Sequence, residues 1–116
     1  MVKVNTTRKV PAGAMSVNTS TILYQSDAVE EAGYYIVSAG FLSPGDTVKV
    51  SLGIHVERNG TSTHLFGTPV SAGGKSLTVL VSLLVGDIIK SNGYITSSFT
   101  FSPDGRFTYL DIAKYY

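Results

Sequence analysis

Val48-Lys49-Val50-Ser51-Leu52-Gly53-Ile54-His55-Val56-Glu57 alternates aliphatic with polar or small residues at a strict period of two. Successive side chains of an extended strand point to opposite faces, so five aliphatics fall on one side and Lys49, Ser51, Gly53, His55 and Glu57 on the other. A helix of 3.6 residues per turn would scatter the same residues around its axis. The stretch therefore predicts a strand with one dry face and one wet face. Asn59-Gly60 follows, a dipeptide that tolerates the two positive φ angles of a type I′ turn, so the chain returns through Thr63, Leu65 and Phe66. A two-residue turn sets His55 opposite His64, and Glu57 opposite Ser62 on the same face.

The same reading extends in both directions. Residues 21 to 25 predict a first strand, and Asp27, Glu30 and Glu31 an acidic loop. Tyr34 to Phe41 predicts a second strand, closed by a turn at Ser43-Pro44-Gly45-Asp46. After a Gly73-Gly74 break, Leu77, Val79, Val81, Leu83 and Val85 alternate, with Leu80 and Leu84 on the opposite face, which predicts a strand covered on both sides. Ile88-Ile89-Lys90 reads as a short strand ended by a turn at Ser91-Asn92-Gly93. A three-residue loop at Pro103-Asp104-Gly105 would set Phe101 against Phe107 and Phe99 against Tyr109 in a C-terminal hairpin.

Composition agrees with this pattern. Twelve Gly, seven Tyr and five Phe accompany many Ser and Thr in a chain of 116 residues, a mixture that favours turns and strands over helices. The expected fold is all-β: a compact jelly-roll sandwich of about eight antiparallel strands, residues 20 to 116, behind an extended N-terminal arm at residues 1 to 19. One domain fits this length.

Several function classes are excluded or unsupported. No cysteine is present, so disulfide scaffolds, thiolate nucleophiles and zinc ribbons are out. A net charge of +1 is too balanced for a nucleic-acid binder that must neutralise many phosphates. No apolar run has the length of a membrane-spanning helix or a secretory signal, which predicts a cytoplasmically made, soluble product without a membrane partner. Gly73-Gly74-Lys75-Ser76 lacks the first glycine of a phosphate-binding loop and leads into a strand. Asp46, Asp87 and Asp104 sit in or beside turns, where their carboxylates serve local backbone. No nucleophile elbow or metalloprotease motif occurs, so the chain is expected to be neither an enzyme nor dependent on a cofactor, and no metal is assigned to it.

Three groups of residues remain as candidates. His55, His64 and Glu57 form a polar cluster, open to a transition metal, an acid-sensitive switch or a plain solvated face. Lys3, Arg8, Lys9, Val10 and Pro11 lie in the arm, where they suit docking on an acidic protein surface. Tyr115 and Tyr116 suit an oligomer contact or a groove.

Gly33-Tyr34-Tyr35-Ile36-Val37, the alternating strand ending at Asn59-Gly60, and Leu84-Val85-Gly86-Asp87-Ile88-Ile89 occur in an order that resembles the compact jelly rolls of tumour necrosis factor and complement collagen-like heads. The ending departs from that family's Ser-Thr-Phe-x-Gly closing strand. A short, cysteine-free jelly roll with a basic arm and no collagen-like stalk also resembles the decoration (cement) proteins of tailed-bacteriophage heads. The resemblance implies a structural virion protein, made in the host cytoplasm. It would bind the outer capsid surface as a homo-oligomer, a trimer in preference to a dimer, and bridge major capsid proteins through the arm. The alternative is the carbohydrate-binding head of a phage tail fibre or spike.

Overall fold

The computed structural model describes residues 7–9, 15–17, 20–41, 48–96, 99–101 and 108–115. The strands among them are β1 (Thr7–Lys9), β2 (Met15–Val17), β3 (Ser20–Gln25), β4 (Gly33–Phe41), β5 (Lys49–Arg58), β6 (Thr61–Gly67), β7 (Ser71–Ala72), β8 (Lys75–Leu83), β9 (Ile88–Ile95), β10 (Phe99–Phe101) and β11 (Tyr109–Tyr115). No helix occurs among the described residues.

Two sheets carry the architecture, one in the order β1-β11-β4-β8 and the other β3-β9-β5-β6, with β7 beside the start of β5 and β2 paired to β10. All pairings are antiparallel. Eight strands thus lie on the two main sheet paths, and consecutive ones repeatedly change sheet, as a jelly roll requires. The inward faces meet in one core. Val37, Ala39 and Phe41 of β4, Leu83 of β8 and Leu110 of β11 face Val50, Leu52 and Ile54 of β5 and Ile89 and Ile95 of β9, all fully buried. The alternation of β5 is reproduced with the expected aliphatics inside, and at its end Asn59 and Gly60 adopt φ of 54° and 79°.

Tyr24 fixes the two sheets to each other. Its hydroxyl donates to the carbonyl of Thr108 at 2.9 Å, and burial pushes the phenol well above its ordinary range. Loop 26–32 is bound to the β8–β9 turn: the Val29 amide donates to the Asp87 carbonyl and the Gly86 amide to the Val29 carbonyl.

Three sequence expectations are corrected. Ser91-Asn92-Gly93 is not a turn; β9 runs straight through it. Gly93 is there for closeness, since a Cβ at this position would come within 2.9 Å of Phe41 Cε2 and 3.1 Å of Leu23 Cδ1. Gly93→Ala is accordingly expected to destabilise the fold by about 1–3 kcal/mol, read as a lower urea midpoint at unchanged slope. The second correction concerns the C-terminal hairpin. Phe99 pairs with Val17 and Tyr109 with Gly40, in different sheets, because the chain crosses between sheets where a local turn signal predicted a return beside itself. Third, β8 is covered on one side: Val81 and Leu83 are buried while Leu80 and Leu84 are exposed. The turns expected at residues 43–46 and 103–105, with Asp46, Asp104 and Phe107, lie outside the described residues.

Candidate functional site

The wet face of the second sheet carries a shallow groove of about 510 Å³, with Ser51, Gly53, His55, His64, Asn92 and Tyr94 among its walls. Strand register builds it. His55 pairs with His64 and Glu57 with Ser62. Ile54 then pairs with Phe66, so Leu65 is the extra residue of a bulge that bends β6 away beyond the imidazoles. Thr68 closes the far end: its Oγ1 accepts from the Leu52 amide, and its own amide donates to the Leu52 carbonyl, both at 2.9 Å.

The two imidazoles meet on the floor of the groove. His64 Nδ1 and His55 Nε2 are 3.2 Å apart, and the rings stand at 75° with centroids separated by 4.8 Å. Burial, and then the neighbouring His64 and Lys90, push the His55 imidazole below its ordinary range, which keeps it neutral at pH 7. Glu57 does not join the pair. Its Oε1 accepts from Lys90 Nζ at 2.9 Å, and Lys90 also reaches Ser62 Oγ at 3.4 Å. No cluster of three or more metal-ligating side chains occurs among the described residues.

The first sheet presents a different surface. On β4, Tyr35, Val37, Ala39 and Phe41 point inward, so Tyr34 and Ile36 point out. Their neighbours across the ladder are Tyr115 and Ala113 of β11 and Ser82 and Leu80 of β8. Tyr34 and Leu80 are each 54 % exposed and Tyr115 42 %, which makes a continuous apolar stripe across three strands. Below it Ser38 and Thr78 share a hydrogen bond of 3.0 Å.

Of the arm residues, Arg8 and Lys9 belong to β1, where their backbones pair with Asp111 and Leu110; Lys3, Val10 and Pro11, like Tyr116, lie outside the described residues. The sequence reading missed Tyr34, Leu80 and Tyr94 as surface residues. The alternation of β4 carried the signal for Tyr34; the mistaken turn at residues 91–93 concealed Tyr94.

Asp87 does more than serve local backbone. Its Oδ2 accepts from the Leu84 amide at 2.8 Å, and both carboxylate oxygens accept from Arg58, at 2.9 Å from Nε and 2.6 Å from Nη2. The Arg58 guanidinium holds this carboxyl below the usual carboxylate range, the Leu84 amide adds to that, and burial opposes both.

Strand order and register define an antiparallel jelly roll with two outward surfaces. No family model matches the sequence, and no curated protein matches it. Solved structures share its fold. Murine APRIL, crystallised at pH 8.5, superposes with a TM-score of 0.73 at 19 % identity, covering 97 % of this chain and 99 % of that one. Eiger TNF from S. frugiperda gives 0.67 at 13 % identity, over 97 % and 93 % of the two chains. At these identities the likeness is one of fold.

Proposed function

We propose that the chain is a non-enzymatic binding module that works as a homo-oligomer on the outer surface of an assembled phage capsid, where it bridges major capsid proteins. The observation that carries the self-association is the stripe formed by Tyr34, Ile36, Leu80 and Tyr115, a continuous apolar surface of the kind that marks interaction sites. Resemblance to tumour-necrosis-factor heads favours a trimer over a dimer. The capsid setting is supported by the sequence resemblance to decoration proteins, with the basic N-terminal segment around Lys3, Arg8 and Lys9 as the docking element. Virion surface is the location that follows, after synthesis in the host cytoplasm; neither nucleic acid nor membrane is a partner in this reading.

Stabilisation then works by linkage. A protein that binds only the expanded shell lowers the free energy of that state in proportion to occupancy and affinity, and an oligomer multiplies a modest contact by valency. The test is cosedimentation of the full chain with expanded and unexpanded capsids of the cognate phage. Stoichiometric binding to expanded shells alone, lost when Lys3, Arg8 and Lys9 are together replaced by Ala in a chain that still folds, is the expected result. A well-folded oligomer that fails to sediment with either shell overturns the capsid reading.

The groove on the second sheet favours one other reading, a carbohydrate-binding head of a tail fibre. Tyr94 offers a ring face beside the polar side chains of Ser51 and Asn92, a combination suited to sugars. Retention on a glycan surface that Tyr94→Ala abolishes would establish it.

A further inference from the structure

The hydrogen-bonded nitrogens of His55 and His64 stand at a separation that also suits chelation of one ion. Two nitrogens bound to one zinc ion at about 2.0–2.1 Å and a tetrahedral angle stand about 3.3 Å apart. Here Nε2 of His55 and Nδ1 of His64 stand 3.2 Å apart. Each imidazole comes from a different strand of one antiparallel pair, with the Cα positions in register, so chelation orders little that the ladder has not already ordered.

The two glycines beside the pair make room for the rings themselves. A Cβ on Gly67 would come within 3.0 Å of the His64 ring, and a Cβ on Gly53 within 3.1 Å of His64 Cε1 and 3.5 Å of His55 Nε2. Both positions are glycine, and the groove opens above the rings. We infer that His55 Nε2 and His64 Nδ1 together bind one divalent transition-metal ion of the imidazole-preferring group, with its remaining coordination positions turned toward the groove.

The charges nearby permit this. The closest ammonium, Lys90, is paired with Glu57 and bonded to Ser62. Because Glu57 is thus occupied, the site has two protein ligands and binds more weakly than a four-ligand structural zinc centre. Affinity follows the order Zn²⁺ and Ni²⁺ below Cu²⁺. The bound tautomers are fixed by the geometry: His55 keeps its proton on Nδ1 and His64 on Nε2.

The test uses the full chain without any added histidine tag. Calorimetric titration with Zn²⁺ and with Ni²⁺, over roughly micromolar to millimolar metal, is expected to give one ion per chain, and His55→Gln and His64→Gln each to weaken binding at least tenfold. Circular dichroism without metal establishes that each variant is folded. For the parent chain, paramagnetic Ni²⁺ is expected to broaden the ring C–H resonances of these two histidines before any others, a readout that does not depend on the variants. Absence of binding by the parent, or equal binding by both folded variants, overturns the inference.

Discussion

Asp87→Ala is expected to lower the unfolding free energy by roughly 3 kcal/mol, the largest loss from any single polar side chain described here. The carboxylate is fully buried, and its removal leaves the Leu84 amide without an acceptor and Arg58 without its bidentate partner. The β8–β9 turn is held by that network, with Gly86 at φ +93° beside it and loop 26–32 bonded to its backbone. Loss of the anchor therefore loosens two connections at once. Folded Asp87 titrates below its unfolded value of about 3.9. Its stabilising contribution is thus complete above that value and is lost as pH falls through the folded pKa. Arg58→Ala removes the group that depresses the titration while the burial remains, so its acid limb moves to higher pH. Urea unfolding at fixed protein concentration, from pH 7 downward, measures both effects. An Asp87→Ala variant within about 0.5 kcal/mol of the parent would show the network to be ornamental.

The parts of this fold legible in the sequence are those decided within a few residues. The period of β5, the positive φ pair at Asn59 and Gly60, and hence the meeting of His55 with His64 all follow from local rules. The unread parts depend on what lies across the sandwich. Gly93 looks like a turn residue until Phe41 and Leu23 are seen pressing on it. Pro103-Asp104-Gly105 invites a hairpin, yet the next strand, β11, joins β4 in the other sheet. Arg58 and Asp87 are 29 residues apart, and no spacing rule connects them. Composition likewise cannot say whether Leu80 is core or surface; only its place opposite Ile36, on the outward side of β4, decides that. Local signals thus fixed the histidine pair and left the apolar stripe hidden, although both are products of the same alternation.

A single charge in the stripe is expected to split the oligomer. Leu80 lies beside Ile36 on β8, the outer strand of the stripe, with Tyr34 and Tyr115 one row away, so Leu80→Glu places a carboxylate on the surface that self-association would dry. Burying an unpaired carboxylate costs several kcal/mol or more, and symmetry repeats that cost in every copy. Folding of the single chain is hardly affected, because Leu80 is exposed and makes no part of the core. Analytical ultracentrifugation should therefore give a trimeric mass for the parent and a monomeric one for Leu80→Glu, with matching circular dichroism. Ile22→Glu supplies the control: Ile22 is equally apolar and about as exposed, but it sits on the other sheet, in register with Asn92. Its mass should equal that of the parent. If both glutamates dissociate the assembly, general charge is responsible and the stripe is not the contact; if neither does, the interface lies elsewhere. A parent that is already monomeric would leave the stripe to a different protein and remove the homo-oligomer from the proposed function.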